Sequence, residues 1–374
     1  MERQITLGDV IAPAKVLRCD NDDYPVLSMT MHDGIVLQSN RFKKSLASID
    51  QSNYKVVLRG QLVVGFPIDE GVIYVQNIAE AGIMSPAYGV WNIHSKEILP
   101  EYLELCLHSP QSMDYYKNKL RGTTARRRSI TTGDLLALPI ILPSLTEQKR
   151  RIGLFRQTTL LLNSQKQTML KFDELVKSRF IELFVGKDYE EKSVRDVLDT
   201  AFWLMPATPE FVENGSVPYI TSKNIKNRSI DFDNVKYITI ESYESISSNR
   251  PTQIGDILIS MIGTLGQTAV IKDARRFYGQ NLYLLRLNAS VVNTIFFCEF
   301  FNSDHTQHKL QAKRNQSTQA YLKANHVEDL ILPLPPMEMQ EQFAAFVAEV
   351  DKSKLAVKQS LEELETLNKS LMQQ

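Results

Sequence analysis

The chain has 374 residues, of which 43% are apolar, and it carries 43 basic and 43 acidic side chains. At roughly 150 residues per domain, this length predicts two or three domains, and the apolar fraction excludes a wholly disordered chain. Since the formal net charge is zero, any affinity for nucleic acid has to come from a local basic surface rather than from bulk charge.

Two copies of one sequence pattern follow each other along the chain. When the sequence is aligned with itself, the matched positions include Leu138 with Leu330, Pro143 with Pro335 and Gln148 with Gln340. Each copy begins with short β-branched or aromatic runs, such as Val56-Val57-Leu58 and Tyr237-Ile238-Thr239-Ile240, which predict strands. We therefore expect one mixed domain in residues 1–145 and a second in residues 185–335.

A long helix is predicted after each copy. Ser144 and Glu147 have the spacing of a capping box, and Gly186 is typical of a helix end. Between them, apolar residues recur at the spacing of a coiled-coil seam, and the same spacing returns near the end of the chain. The seam residues are Phe155, Leu162, Met169, Val176 and Leu183 in the first helix, and Phe343, Val350, Val357, Leu364 and Leu371 in the second. These stripes predict helices over residues 146–184 and 336–374.

The charges of the two predicted helices are complementary. Residues 146–184 hold 8 basic and 4 acidic side chains, whereas residues 338–374 hold 4 basic and 7 acidic ones. Opposite net charges favour packing of the two helices on each other, most simply antiparallel with the apolar seams between them. The alternative is that each stripe covers its own domain.

Sequence motifs for catalysis are absent. We find no glycine-rich phosphate loop and no Asn/Asp-Pro-Pro-aromatic signature of adenine or cytosine methyltransferases. Glu190-Glu191-Lys192 has the Glu-x-Lys spacing of some metal-dependent nucleases, but a solvated loop is the more frequent origin of such a short pattern. We therefore expect no catalytic residue and no metal site in this chain.

The composition also predicts a reducing, cytoplasmic location without membrane contact. Cys19, Cys106 and Cys298 are too far apart for a disulfide framework or for the close ligand pairs of a zinc site. No apolar run approaches the roughly 18 residues that span a bilayer, and the first residues lack the apolar core of a signal peptide.

The strongest charged feature is the segment 117–128, which has six basic residues and no acidic one. Guanidinium groups can bind phosphates and guanine edges, and small hydroxyls reach backbone oxygens. The equivalent segment of the second copy, 313–319, is richer in amides, which suit adenine edges. The alternatives are a solvated helix face and a polar surface loop. The candidate DNA-binding residues are Lys119, Thr124, Arg126, Arg127, Arg128, Lys313, Arg314, Gln316, Thr318 and Gln319, and Tyr115 and Tyr116 are placed to lie along the sugar backbone.

This combination of two variable domains, each followed by a Pro-rich turn, a Gln and a long heptad helix, resembles the specificity subunit of type I restriction-modification systems. The resemblance covers the whole chain. Residues 138–148 (LPIILPSLTEQ) and 330–340 (LILPLPPMEMQ) are similar to the Pro-Leu-x-Glu-Gln entry to the family's helices, and residues 255–260 (GDILIS) to its Gly-Asp-Ile-Leu strand. Gln61 and Met339 depart from these patterns, since they stand where Asp and Glu are expected.

The resemblance implies an α+β fold: two α/β target recognition domains, separated by two long antiparallel coiled-coil helices and related by an internal pseudo-twofold repeat. The domains are expected to recognise the two halves of an asymmetric site in double-stranded DNA. The resemblance also implies that this chain is not an enzyme and holds no cofactor. Adenine methylation from S-adenosylmethionine would belong to two modification subunits, and cleavage driven by ATP and Mg to restriction subunits. A helical rod of roughly 57 Å would then set the distance between the half-sites.

Two alternatives stay open from the sequence alone. The first is a coiled-coil scaffold without DNA specificity, which zero net charge favours and the basic segment disfavours. The second is a solitary DNA-modifying enzyme, which a cofactor or metal motif would mark. DNA binding that weakens steeply with added salt separates a DNA-binding protein from a scaffold.

Overall fold

The structure is a computed structural model that describes the chain apart from residues 1, 16, 20–23, 32, 42–50, 121–127, 205–208, 227, 249, 264, 314–320 and 374. The chain divides into two compact units: unit 1 contains residues 1–166 and 358–374, and unit 2 contains residues 167–357. Each unit combines one strand-rich domain with segments of two long helices. We call residues 1–144 the first domain and residues 185–336 the second domain.

The described part of the first domain contains ten strands and four short helices. The strands are β1 Arg3–Thr6, β2 Ile11–Pro13, β3 Leu27–Met29, β4 Ile35–Leu37, β5 Lys55–Leu58, β6 Leu62–Val64, β7 Ile73–Val75, β8 Ala81–Met84, β9 Gly89–Ile93 and β10 Pro139–Leu142. The helices are α1 Gln38–Arg41, α2 Pro100–Leu107, α3 Pro110–Lys119 and α4 Thr132–Leu136. The long helix α5, Leu145–Phe184, follows.

The second domain contains eleven strands and four short helices in its described residues. The strands are β11 Glu190–Ser193, β12 Leu198–Leu204, β13 Val217–Ile220, β14 Ile225–Lys226, β15 Ser229–Ile230, β16 Lys236–Ile238, β17 Ile257–Ser260, β18 Thr268–Val270, β19 Tyr278–Gly279, β20 Leu282–Leu287 and β21 Ile331–Leu334. The helices are α6 Ile240–Ser247, α7 Thr294–Asn302, α8 Asp304–Ala312 and α9 Ala324–Glu328, and the long helix α10, Met337–Gln373, follows.

The same four-stranded antiparallel sheet occurs in both domains. Its strand order is β2-β9-β6-β7 in the first domain and β12-β20-β17-β18 in the second. In both domains a further antiparallel pair joins the first strand to the last, β1 with β10 and β11 with β21. The predicted α+β class and the internal repeat are therefore confirmed.

The two long helices pack antiparallel within each unit. In unit 1, the Thr158 hydroxyl of α5 donates to Asn368 Oδ1 of α10 at 3.1 Å. In unit 2, Phe180 and Phe184, near the end of α5, pack against Phe343, near the start of α10, with ring centroids 5.7 and 5.4 Å apart. The end of one helix thus meets the beginning of the other, as the charges predicted. No helix in the described part of the chain is both long and apolar enough to span a bilayer.

In each unit, the largest buried apolar cluster combines residues of the long helices with residues of the domain. In unit 1, Ile152 of α5 belongs to the same buried cluster as Leu103 of α2 and Ile140 of β10. In unit 2, Phe184 and Phe343 belong to the cluster that contains Phe296 of α7. Each domain is therefore fastened to the helices by burial of shared apolar surface.

A buried glutamine at the start of each long helix fixes the helix to the domain before it. In unit 1 the Gln148 amide nitrogen donates to the carbonyl oxygens of Glu97 and Pro143, at 2.8 and 2.9 Å, and its carbonyl oxygen accepts from the Leu99 amide at 2.9 Å. Leu99 is the N-cap residue of α2. We call this arrangement the glutamine bridge.

Unit 2 contains the same glutamine bridge. The Gln340 amide nitrogen donates to the carbonyl oxygens of Val291 and Pro335, at 3.2 and 2.9 Å, and its carbonyl oxygen accepts from the Asn293 amide at 2.8 Å. Asn293 is the N-cap residue of α7. Both glutamines are fully buried, so these hydrogen bonds satisfy groups that water cannot reach.

Gln61 stands where the second domain has Asp256, and the residue with which each of them pairs on the neighbouring strand differs accordingly. In the second domain, the Asp256 carboxylate accepts from both Nε and Nη2 of Arg286, at 2.7 and 2.8 Å. At the equivalent register of the first domain, the Gln61 amide nitrogen donates to Asn92 Oδ1 at 2.8 Å. A neutral amide pair therefore replaces a charged pair without leaving an unpaired charge. Gly60 and Gly255, just before these residues, both have positive φ, which favours glycine.

The helix start at Ser144 is only partly the predicted capping box. The Ser144 hydroxyl accepts from the Glu147 amide at 3.3 Å. The Glu147 carboxylate instead accepts hydrogen bonds from Arg150 and Arg151, which lower its pKa to about 2. Glu147 therefore neutralises the basic first turns of α5 rather than capping them.

Two local predictions were wrong. The predicted strand Tyr237–Ile240 ends at Ile238, because Thr239 is the N-cap of α6 and its hydroxyl accepts from the Ser242 amide at 3.2 Å. The predicted solvated loop at Glu190-Glu191-Lys192 is strand β11, since these residues pair with β21, far away in the sequence.

Replacing Gln340 by Leu is expected to lower the free energy of unfolding by about 1–3 kcal/mol, because two carbonyl oxygens and one amide lose their buried partner. Gln342→Leu, at an exposed position of the same helix, is the matched control and should change it by less than about 0.5 kcal/mol. Urea unfolding measures both. Equal effects of the two substitutions would contradict the glutamine bridge.

The double replacement of Asp256 by Gln and Arg286 by Asn, which copies the amide pair of the first domain, should destabilise the protein less than the replacement of Asp256 alone. Asp256→Gln alone is expected to cost about 3 kcal/mol or more, since it leaves the Arg286 charge without its carboxylate. Adding Arg286→Asn should restore more than half of that loss. A double-mutant cycle by urea unfolding tests this, and additive losses would refute the equivalence.

Candidate nucleic-acid interface

Three of the ten candidate DNA-binding residues lie in the described part of the chain: Lys119, Arg128 and Lys313. The other seven, Thr124, Arg126, Arg127, Arg314, Gln316, Thr318 and Gln319, lie outside it. The described residues nevertheless show how the two candidate segments are attached. A pair of short helices leads into each segment: segment 117–128 begins in the last turn of α3, and segment 313–319 begins directly after α8.

Lys119, at the end of α3, has an exposed side chain. Its amine lies 3.7 Å from Asp134 Oδ1 and 6.0 Å from the centroid of the Tyr115 ring. The Tyr115 hydroxyl donates to the Asp134 carbonyl oxygen at 2.9 Å. Tyr116 is fully buried, and its hydroxyl donates to the Leu107 carbonyl oxygen. The prediction that Tyr116 lies along a DNA backbone was therefore wrong, because this ring fills the core.

Arg128 holds the other end of the basic segment against the domain. Its Nη1 lies 3.0 Å from Asp69 Oδ2, and Nη2 donates to the Glu70 carboxylate. The Arg128 carbonyl oxygen accepts from the Ile68 amide at 3.1 Å. Asp69 is 8% exposed, so the guanidinium compensates a buried charge. The sequence did not indicate this partner, since 58 positions separate Arg128 from Glu70. Contact of Arg128 with DNA stays a prediction.

In the second domain, Lys313 is exposed at the end of α8. The chain that returns from segment 314–320 is held at Leu322, whose amide donates to the Met261 carbonyl oxygen at 2.8 Å. A cavity of about 150 Å³ lies beside it, lined by residues that include Gly263, Gly266 and Gln307. The Gln307 amide nitrogen donates to the Gly266 carbonyl oxygen at 3.2 Å. Leu322 also lines this cavity, so the described chain after the amide-rich segment lies beside both polar and apolar side chains.

Burial makes the thiols of two cysteines poor nucleophiles. It raises the pKa of Cys106 to about 11 and the pKa of Cys298 to about 12. Because the thiolate is the reactive form, these thiols are inert at neutral pH. Among the described residues, no group of three or more His, Cys, Asp and Glu side chains could hold a metal ion.

All ten predicted seam residues lie on faces that are at least partly covered. Leu162, Val176, Phe343 and Val350 are buried. The remaining six, Phe155, Met169, Leu183, Val357, Leu364 and Leu371, are half-buried. In unit 1, Phe155 of α5 and Leu371 of α10 line one cavity of about 60 Å³. Which of these residues carries the pairing of the helices stays a prediction.

Residues 186–366 match the family model described as type I restriction modification DNA specificity domain. This match covers the second domain and most of α10, just under half of the chain. The resemblance inferred from the sequence is confirmed. A similar curated protein is the putative type I restriction enzyme MjaX specificity subunit of Methanocaldococcus jannaschii, which is 26% identical over 197 residues. This alignment covers 50% of the present chain and 45% of the relative, so the chain matches less than half of that relative's length.

Two solved structures have folds similar to that of this chain. One comes from work on complex assembly and conformational transition of the type I R-M system. It has a TM-score of 0.60 and 18% identity, and the match covers 100% of this chain and 96% of that one. The other is the type I restriction-modification S subunit from M. genitalium, with a TM-score of 0.55 and 13% identity over 100% and 95% of the two chains. Both support two domains with long helices.

Arg128→Met is expected to lower the free energy of unfolding by about 1–3 kcal/mol, because the Asp69 charge stays buried without its partner. Lys119→Met removes an exposed charge and should cost less than about 0.5 kcal/mol. Thermal unfolding of both variants measures the difference. A loss for Arg128→Met no larger than that for Lys119→Met would show that the Arg128 ion pairs do not hold the basic segment.

Proposed function

We propose that this chain is the DNA-recognition subunit of a type I restriction-modification complex. In this proposal each domain recognises one half of an asymmetric, gapped target in double-stranded DNA. The observation that carries the proposal is the repeat itself. The sheet and the glutamine bridge are the same in both units, whereas segments 117–128 and 313–319 at equivalent places differ in chemistry.

The different composition of the two segments supports recognition of two different half-sites. Segment 117–128 offers guanidinium groups, which bind phosphates and the O6 and N7 atoms of guanine. Segment 313–319 offers amide groups of Asn and Gln, which pair with the N6 and N7 atoms of adenine. Phosphate contacts fix the register on the duplex, and base contacts carry the specificity. An asymmetric target follows from two unlike domains on one chain.

The proposal assigns the chemistry to other subunits. Two modification subunits would bind S-adenosylmethionine and methylate adenine, and restriction subunits would use ATP and Mg to cleave. The present chain would direct them to the target without a catalytic residue of its own. Exposed apolar side chains on the long helices support docking of such partners, since large apolar patches rarely stay in contact with water. Leu160 and Leu161 in unit 1 are 69% and 51% exposed, and Leu170 and Ile181 in unit 2 are 56% and 57% exposed.

The test is to express the chain with the modification subunits encoded beside it in a host without DNA methylation, and to map methylated adenines along the whole genome. We expect one gapped, two-part motif that is methylated only when this chain is present, because the modification subunits depend on it for the target. The control is the same host with the modification subunits alone.

The outcome also separates the alternatives. Methylation that is independent of this chain would contradict a recognition role. Methylation by this chain alone, without modification subunits, would identify a solitary modifying enzyme. A chain that is soluble with its partners, but whose presence yields no methylation and no salt-sensitive DNA binding, would identify a scaffold.

A further inference from the structure

Arg228 has an unusual backbone and an almost buried side chain. It lies between the paired strands β14 and β15, with φ of +59°. This left-handed conformation is uncommon for a residue with a large side chain. The Arg228 side chain is only 13% exposed. A strained backbone that carries a buried charge persists only where the surrounding structure holds it.

The guanidinium of Arg228 joins the turn to two helices of unit 2. Its Nη1 lies 3.1 Å from Glu299 Oε1 on α7, and its Nη2 donates to Asp351 Oδ1 on α10 at 2.8 Å. Three elements therefore converge on one side chain. Because the guanidinium is a planar fork, each carboxylate has to approach it from a fixed direction.

A second ion pair belongs to the same cluster. Lys354 of α10 bonds to Asp173 of α5, and the Lys354 side chain is 16% exposed. Burial raises the pKa of Glu299. The positive charges of Arg228 and Lys354 lower this pKa, whereas the negative charges of Asp351 and Asp173 raise it. The other four charges therefore all act on Glu299, and the five together connect the second domain to both long helices within unit 2. We call them the five-charge cluster.

Buried ion pairs add little stability, but they fix the relative orientation of the elements that they join. Replacing a buried ion pair by apolar residues of similar volume is often neutral or stabilising, because desolvation offsets the attraction. The phenylalanine-rich core of unit 2 already fastens the domain to the helices, and apolar contacts have little preference for direction. The five-charge cluster supplies the preference for one orientation that the apolar contacts lack, because the ion pairs of a guanidinium have a fixed geometry.

We propose that Arg228 is a positioning residue that holds the second domain at one angle on the long helices. This inference rests on the proposed function, since its consequence is the place on DNA at which the second half-site is recognised. Arg228 touches no base in this proposal. It determines how strictly the complex requires one distance between the two half-sites, and the bases of each half-site depend on other residues.

The experiment compares methyl transfer by the complete complex on duplexes that carry the mapped target with its native gap, or with a gap one or two base pairs shorter or longer. Three variants are used: Arg228→Met; the triple variant Arg228→Met, Glu299→Leu and Asp351→Leu; and the control Arg179→Met. The control removes an exposed ion pair between Arg179 and Glu182 on α5. In Arg228→Met, the carboxylates of Glu299 and Asp351 lose their partner, which destabilises the protein. The triple variant removes these two carboxylates as well. Thermal unfolding confirms that each variant is folded.

We expect the triple variant to keep the half-site bases and to lose preference for the native gap by about tenfold or more, the factor that corresponds to one charge-assisted hydrogen bond. Arg179→Met should keep the preference of the wild-type complex. A folded triple variant with wild-type gap preference, or with altered half-site bases, would overturn the inference. A wild-type complex that methylates no gapped target would refute the proposed function and this inference with it.

Discussion

The burial of one glutamine amide at the start of each long helix is the constraint on which the rest of the fold depends. The fully buried side chains of Gln148 and Gln340 each bind two carbonyl oxygens and one amide of the backbone. The hydrogen bonds connect the first turn of the helix to the N-cap of a short helix in the domain. Because every buried polar group needs a partner, this contact fixes the start of the helix against the domain, and in unit 2 the five-charge cluster adds a second fixed point further along α10.

The two copies of the repeat share hydrogen-bonded side-chain pairs at equivalent positions, although the residues that form the pairs differ. Asp256 and Arg286 form a charged pair where Gln61 and Asn92 form a neutral one. The exchange is tolerated because both partners change together, whereas a single change would leave a buried group unpaired. The same freedom does not apply to the glutamine bridge, whose three partners belong to the backbone. Surface segments carry no such obligation, so the two copies can diverge there and acquire different chemistry.

The sequence predicted those features that depend on local or periodic patterns. The long helix predicted over residues 146–184 spans Leu145–Phe184, because the seam, the cap at Ser144 and Gly186 are all local signals. Features that depend on contacts far along the chain were predicted wrongly or missed. Glu190-Glu191-Lys192 is a strand only because β21 pairs with it, and nothing near Arg228 in the sequence indicates Glu299 or Asp351. Such pairs follow from the fold and not from the pattern around each residue.

The two candidate segments are attached to their domains in different ways. Arg128 is held by two carboxylates of the first domain, whereas the second segment rejoins its domain through a backbone hydrogen bond at Leu322. The described attachments of two segments that differ in composition therefore differ as well. This difference is what a protein that recognises an asymmetric target requires, since identical surfaces would select a symmetric one.

The most direct test of DNA recognition by two domains is selection of DNA from a random pool by the proposed complex of this chain with modification subunits, followed by sequencing of the bound molecules. We predict two separate blocks of preferred bases of different sequence, with a gap of constant length between them. A single continuous block, or no enrichment by a complex that binds DNA, would contradict recognition by two domains.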